Sequence, residues 1–499
     1  MTDFQIELIQ RLFRVSKIKV SLLAFLLVLA GVGVKAQQQK PLYDNVFQNT
    51  DSLYKLPLKE VIQQIESRFN VKIRYAADLV KDKWVTYAFW RFRPSLDATF
   101  ENVLTPLDLK VNPDGDHKYE LKPFEYYRWP VKEGWATLDA IAGQYHDKQS
   151  WEARKDSIRT ELYAAVGLFP MPARPDKPVM LTAERKYADY QVQNFALEIL
   201  PGLYLNGSIY QPLKVKGKIA VMLSPDGHWT DQRYRKDCQI RCATLAKLGA
   251  MAISYDLFAW GESLLQFNGD DHRKSLSITV QTLGAIRLLD YVTSLKQVDT
   301  SRIGISGGSG GGSHTVLIAA MDARIKLSAP VVSVSSYFYG GCPCESGRGI
   351  HECGGGTDNV ELAAMAAPNP QLLISDGHDW TQHMPEHDFP YLQRVYSYYG
   401  AENNVVNVHL PKESHDFGPS KRTALYRFVS KYFHLPIDRI LNKENQIDES
   451  FVHIEPKEAL YTFGDHGQYL PKDAIKGYDQ LVEVYNSAMR SAQSDWNNK

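Results

Sequence analysis

The chain has 499 residues and carries 57 basic against 57 acidic side chains, a formal net charge of zero that excludes the basic footprint of a nucleic-acid binder. That length suits about three domains and ample core. Its 28 tyrosines and 9 tryptophans suit a carbohydrate-facing surface as well as core and rim packing.

Residues 1–36 read as a secretory signal. Arg11, Arg14, Lys17 and Lys19 precede an apolar stretch over 20–34, and the small residue Ala36 precedes Gln37. The apolar run is shorter than the roughly 20 residues of a membrane span, so cleavage near Ala36 is expected, and with it a periplasmic or secreted location.

Residues 50–124 read as a small α+β unit of their own. Leu56, Leu58, Val61, Ile62, Ile65 and Phe69 recur at helical spacing, and VKIRYA (71–76) alternates like a strand. KWVTYAFWRF (83–92) predicts a second strand and 96–104 a second helix. Residues 109–111 and 119–121 predict a closing hairpin around Asn112-Pro113-Asp114-Gly115. This order of elements resembles the short N-terminal domain of secretins and TonB receptors, which implies docking to an envelope protein partner. A plain spacer is the other reading, since no acid, base or nucleophile cluster stands there.

Residues 125–178 predict helix and then a proline-rich connector that packs on the next domain. From 179 to 436 the chain alternates strand and helix in the α/β manner. YADYQVQNFALEIL and GLYLNGSIYQP predict paired strands, 218–224 (KIAVMLS) a buried strand, 231–248 a helix and 250–256 (AMAISYD) the next strand. A long helix follows over 277–295, and further strands are predicted at 326–334, 371–375 and 405–410. Residues 437–499 form a C-terminal extension.

The segment 302–322, RIGISGGSGGGSHTVLIAAMD, predicts strand, sharp turn and helix. Gly307 and Gly311 flank Ser309 two positions either side, which matches the G-x-S-x-G nucleophile elbow. The glycines are needed because the turn is strained and neighbouring backbones pass too close for a β-carbon. Ser306 fits the pattern in a second register but ends the apolar run and would still lie in the strand, so Ser309 is favoured. No Lys-Ser/Thr pair follows the glycines, which argues against a phosphate-binding loop.

A serine needs a base to take its proton and a carboxylate to orient that base. Beyond the strand QLLIS stand Asp376 and Asp379, and beyond VVNVHL stands His415, so the order serine, acid, histidine is met. Asp379 is favoured because its distance from the strand end gives room to reach the histidine, whereas Asp376 can cap the turn with Gly377. His378, His383 and His387 surround the acid loop as pocket candidates. The Gly310 amide and that of His228, in the loop Asp226-Gly227-His228-Trp229, are the expected oxyanion donors. Trp229, Trp260 and Trp380 are the expected substrate-binding aromatics. This chemistry requires no metal or organic cofactor.

Five cysteines remain after processing. Cys342, Cys344 and Cys353 crowd the stretch GGCPCESGRGIHECGGG, while Cys238 and Cys242 sit one helical turn apart. A disulfide tying the glycine-rich loop is expected, with zinc on those cysteines and His351 as the alternative. The pairing itself is not readable.

From about Trp135 onward the chain resembles the secreted α/β-hydrolases grouped with acetylxylan esterases and dienelactone hydrolases. The stretches that carry the likeness are PGLYLNGSIYQP, SPDGHW, SYDLFAWGES, TLGAIRLLDYV, VDTSRIGISGGSGGGSHT, CPCES, TDNVELAAMAAPNPQLLISDGHDW and HDFGPSKR, in that order. The resemblance implies an α/β-hydrolase fold with a mostly parallel, doubly wound sheet, and Ser309, Asp379 and His415 as nucleophile, acid and base. It also implies an exported serine carboxylesterase acting on a small acyl group, such as acetyl, on a polysaccharide. The chain departs from the pattern at Asn369, where relatives commonly carry arginine, and in the loop after Asp256, which lacks one usual glycine. Glucuronoyl esterases resembling this fold carry arginine directly after the nucleophile, where this chain has Gly310, so their uronate recognition is not carried over. A serine peptidase of the same fold would be expected to bring a large N-terminal propeller, and its repeats are missing from the sequence. A non-catalytic envelope protein would be expected to have lost a member of the triad.

Overall fold

The computed structural model describes residues 55–85, 91–107, 109–123, 127–215, 217–346 and 349–498. The expected signal segment lies outside them. The chain divides into two compact units, Met1–Phe124 and Glu125–Lys499.

In the first unit, strand β1 (Leu56–Pro57) leads into helix α1 (Leu58–Phe69), whose Leu58, Val61, Ile62 and Ile65 form its buried stripe. Asn70 ends the helix in the left-handed conformation with φ 53°. Strand β2 (Lys72–Arg74), the single turn α2 (Ala77–Val80) and strand β3 (Trp84–Val85) follow. The remainder of the predicted strand 83–92 falls largely on residues outside the description. Helix α3 (Leu96–Leu104) occupies the predicted span, capped by the Ser95 hydroxyl, which accepts from Ala98 N–H at 3.2 Å and adds about 1 kcal/mol. Strands β4 (Leu109–Pro113) and β5 (Lys118–Pro123) close the hairpin, and the sheet runs in the order β2-β5-β4. Phe100, Val103, Leu109 and Leu121 pack with the stripe of α1 into one core.

The second unit opens with helices α4 (Val131–Ala142) and α5 (Lys148–Ala165). Leu138, Trp151, Ile158 and Leu162 from this segment are fully buried in the main core, so it is a wall of the catalytic unit. Strands β6 (Met180–Leu181) and β7 (Arg185–Lys186) both pair with β8 (Tyr190–Leu200), which turns antiparallel into β9 (Leu203–Pro212).

The parallel part then builds up as strand and helix alternate. It comprises β10 (Ile219–Pro225), α6 (Lys236–Leu248), β11 (Ala250–Tyr255), α7 (Ser277–Ser294), β12 (Val298–Gly308), α8 (Gly310–Met321) and β13 (Leu327–Val331). The short helices α9 (Pro343–Ser346) and α10 (Asn359–Ala364) lead to β14 (Gln371–Asp376), α11 (Phe389–Ser397), β15 (Val405–Leu410) and α12 (Pro419–Phe433). The strand order is β15-β14-β13-β12-β10-β11-β9-β8-β6, parallel from β15 to β11 and antiparallel beyond. The chain therefore has an α/β-hydrolase fold. Strands such as IAVMLSP and AMAISY are buried at every position because helices cover both faces of the parallel region.

One boundary differs from expectation. The helix predicted over 231–248 begins only at Lys236, after a 3₁₀ turn at Gln232–Tyr234. Arg233 in that turn is buried and donates to Asp256 Oδ1 at 2.7 Å and to the Ser208 hydroxyl at 2.9 Å. This anchor to β9 and to the loop after β11 outweighs local helix propensity. The C-terminal extension carries helix α13 (Tyr478–Asn497), whose Leu481 and Tyr485 pack into the main core with Ile475.

Candidate active site

The carboxyl ends of β10, β12, β14 and β15 meet at one edge of the parallel sheet, where ligands of such folds bind. Strand β12 hands over to α8 through a single residue, Ser309, held at φ 54° and ψ −125°. A side-chain-bearing residue in that region costs roughly 1–3 kcal/mol, and a hydrogen bond from Ser309 N–H to Val331 O at 3.0 Å helps hold it. The motif glycines follow from close approach. A β-carbon on Gly307 would stand 2.5 Å from Gly311 O, and one on Gly311 would stand 2.7 Å from Pro225 O. Ser306 lies buried inside β12, where its hydroxyl donates to Ala329 O at 2.9 Å.

His415, in the loop after β15, places Nε2 2.9 Å from Ser309 Oγ and Nδ1 2.6 Å from Asp379 Oδ2. With Nδ1–H donating to the carboxylate, Nε2 is free to accept the serine proton. Asp379 Oδ1 accepts from both the N–H and the hydroxyl of Thr381, each at 2.6 Å. Burial alone would raise the Asp379 pKa, but the hydrogen bonds from His415 and Thr381 outweigh it and hold the carboxyl below its ordinary value. Asp376 sits elsewhere, fully buried and 3.2 Å from the equally buried Lys421 Nζ. Burial and then the Asp379 charge push its carboxyl up. Asp376 thus fastens the base of the loop, and Asp379 extends from it to the histidine.

On the other side of Ser309, the loop after β10 passes directly over the elbow, so close that a β-carbon on Gly227 would lie 2.9 Å from Ser309 Cβ. Gly310 opens α8, where the first N–H groups lack partners in their own helix. The His228 imidazole packs onto Gly310, and a β-carbon there would meet His228 Cε1 at 2.5 Å. This explains the departure noted in the sequence, because an arginine after the nucleophile would occupy the space the imidazole fills.

Trp229 and Trp380 both pack on His415, with ring centroids 5.6 Å and 4.5 Å away. The Trp380 indole N–H donates to Ser333 O at 3.1 Å. Trp260 packs on His228 at 5.5 Å. The three tryptophans therefore pack around His228 and His415. His383 and His387, by contrast, pack against Trp135 at 5.8 Å and 5.0 Å, and His387 Nε2 lies 3.0 Å from Asp139 Oδ1.

The cysteines correct the expected disulfide. All five are free, buried thiols. Cys353 is held in the main core with Ile158 and Val360, while Cys238 and Cys242 belong to the core on the other sheet face. His351 does not join Cys342 and Cys344; it lies 2.9 Å from Asn359 Oδ1 and stacks on Tyr339 at 4.2 Å. The group gathered behind His228 is instead His272, Cys342, Cys344 and Glu345. Sequence reading picked out the CPCES string but had no signal joining it to His272, which lies in a separate loop.

Comparison with known proteins shows what the chain is similar to. A family model described as acetyl xylan esterase (AXE1) matches residues 270–339. The solved structure of methylesterase BT1017 is 46% identical, superposes with a TM-score of 0.78, and the match covers 89% of this chain and 99% of that one. The chain belongs to the family of methylesterase BT1017. By that kinship it is a carboxylic ester hydrolase. An uncharacterized protein, YcjY, of Escherichia coli (strain K12) is 30% identical over 146 residues, a match spanning 28% of this chain and 45% of that protein. A glucuronoyl esterase from Solibacter usitatus is 16% identical with a TM-score of 0.44, covering 57% of this chain and 93% of its own.

Proposed function

We propose that this member of the methylesterase family hydrolyses a methyl ester on the carboxyl group of a sugar acid within a polysaccharide, through Ser309, His415 and Asp379. The observation that carries the reading is the continuous hydrogen-bonded path of 2.9 Å and 2.6 Å from Ser309 through His415 to Asp379. Ser309 Oγ attacks the ester carbonyl as its proton passes to His415 Nε2, and the Gly310 and His228 amides receive the developing oxyanion. Collapse expels methanol, which takes the proton from His415. Water then attacks the acyl-enzyme with His415 as base, releasing the sugar acid and freeing Ser309. Asp379 stays ionised and stabilises the imidazolium in both steps.

A methyl ester is favoured because the relative that is 46% identical over nearly its whole length is a methylesterase. An acetyl ester on a sugar hydroxyl is the second reading, supported by the acetyl xylan esterase model over 270–339. Methyl-esterified polygalacturonan and acetylated xylan, offered separately, distinguish them. Methanol from the first with little acetate from the second is the expected result, and the reverse would sink the methyl ester reading.

We also propose that the chain is exported and loses residues 1–36, on the strength of the basic and then apolar pattern before Ala36. A mature mass beginning at Gln37 is expected from exporting cells, and a full-length cytosolic chain would refute it. The first unit, by the order of its elements, is the candidate dock for an envelope protein. A photocrosslinker placed at the exposed Trp84 is the probe for that partner. Failure to capture any envelope protein there would leave the unit a spacer.

A further inference from the structure

His228 Nε2 lies 2.9 Å from His272 Nε2 and 3.2 Å from Cys344 Sγ. With Cys342 Sγ, these ligand atoms all fall within 4.8 Å of one another. A tetrahedral zinc with Zn–N near 2.0 Å and Zn–S near 2.3 Å separates its ligand atoms by about 3.3–3.8 Å, which lies within the 4.8 Å spread and a few tenths of an ångström above the 2.9 Å and 3.2 Å separations, so small side-chain shifts admit the ion. They come from three places far apart in sequence. His228 stands in the loop after β10, His272 in a 3₁₀ turn at Gly269–Arg273, and both cysteines at α9.

The hydrogen bond behind His272 fixes which of its ring nitrogens is free to bind. His272 Nδ1 lies 2.6 Å from Phe258 O. A carbonyl only accepts, so Nδ1 carries the proton and the neutral ring turns the lone pair of Nε2 toward the cluster. Glu345 Oε2 stands 3.8 Å from His228 Nδ1, a carboxylate placed behind the second ring. A backbone carbonyl or carboxylate behind a ligating imidazole is the usual arrangement at metal sites. With His272 Nε2 unprotonated, the 2.9 Å contact with His228 Nε2 is bridged either by a proton carried on His228 or by a cation bound to both nitrogens. His272, Cys342 and Cys344 are 4%, 6% and 5% exposed, and the Trp260 ring packs on both imidazoles at 5.5 Å.

We propose that His228, His272, Cys342 and Cys344 bind one zinc ion in a closed tetrahedral site that fixes the loop carrying the His228 amide. Two thiol protons leave as Zn²⁺ enters, so the ion and its four ligands together are neutral. Two thiolates and two imidazoles select zinc over calcium or magnesium, which prefer oxygen. Four protein ligands leave no position for substrate, so the ion is structural and does not polarise the ester. Its consequence for catalysis, which rests on the esterase reading, is positional: the imidazole it holds is the one packed onto Gly310.

The test reads metal first and activity second. The full chain, prepared without a polyhistidine tag, is expected to hold about one zinc per molecule by elemental analysis. The Cys342→Ser/Cys344→Ser variant is expected to hold less than about a tenth of that. As a control for misfolding of the variant, the unmutated chain is stripped with a chelator and reloaded with Co²⁺. Thiolate-to-cobalt charge transfer and tetrahedral visible bands are expected, together with a rise in Tm on reloading. A chain that takes up no zinc from an equimolar solution and shows no thiolate-cobalt absorption would overturn the proposal. So would a mass showing Cys342 and Cys344 joined as a disulfide in the protein as isolated. If zinc is bound but no ester is cleaved, the esterase reading fails and the metal site stands.

Discussion

Replacing Ser309 with alanine is expected to lower kcat by about 10⁴- to 10⁶-fold, with Tm nearly unchanged. In the proposed mechanism the hydroxyl is the atom that bonds to the acyl carbon, so its loss removes the covalent route and leaves only what binding and the oxyanion donors supply. The folded state loses little, since the elbow is held by the Ser309 N–H to Val331 O bond and by the close contacts around Gly307 and Gly311. Ser306→Ala is the matched control. Its hydroxyl is spent on Ala329 O inside β12, so this variant is expected to keep its kcat and lose about 1 kcal/mol of stability. Hydrolysis of p-nitrophenyl acetate and a thermal melt on both variants give the comparison. A Ser309→Ala protein that retains kcat would refute the nucleophile assignment.

The two aspartates of the acid loop are expected to separate in the same way. Asp379→Asn is expected to reduce kcat by about 10⁴-fold. An amide facing Nδ1 can favour the imidazole tautomer with its proton on Nε2, which cannot accept from Ser309, and it no longer balances the imidazolium. Asp376→Asn leaves the path of 2.9 Å and 2.6 Å intact. It instead removes one charge facing Lys421, whose side chain is fully buried. Breaking such a buried pair costs about 3–5 kcal/mol. The bonds from Lys421 Nζ to Ser414 O at 2.6 Å and Asp416 Oδ1 at 2.7 Å offset part of that. The expected pattern is loss of turnover without loss of Tm for Asp379, and loss of Tm without loss of turnover for Asp376. The opposite pattern would exchange their roles.

Much of the catalytic unit was legible because its signals are local. The buried strands of the parallel sheet are continuous apolar runs, and the helices between them carry enough apolar positions to cover both faces. Predicted and observed bounds coincide for 405–410 and 96–104, where periodicity and flanking turn residues agree. The start of α6 was not legible. Its first predicted turn is pulled out of the helix by Arg233, whose partners Ser208 and Asp256 lie in other elements. In the tail 437–499, Leu481, Tyr485, Ala488 and Ala492 recur at helical spacing, but that stripe alone does not say which surface it covers, and the structure packs its Leu481 and Tyr485 into the main core.

The sequence by itself determined the elbow, the strand-helix alternation and the chain order of serine, aspartate and histidine. Each depends on contacts within a few residues or on a repeat along one element: Gly307 must clear Gly311, four positions on. Only the tertiary structure decided which aspartate reaches His415, which histidines merely pack on Trp135, and where the CPCES thiols point. His415 meets Ser309 across 106 residues and His228 meets Cys344 across 116. A local pattern carries no information about such a pairing, because it is set by which strand ends the sheet brings side by side. The expected disulfide failed for that reason. Cysteines close in sequence were turned to different neighbours, Cys353 into the core and Cys342 and Cys344 toward two histidines that no spacing rule connects to them.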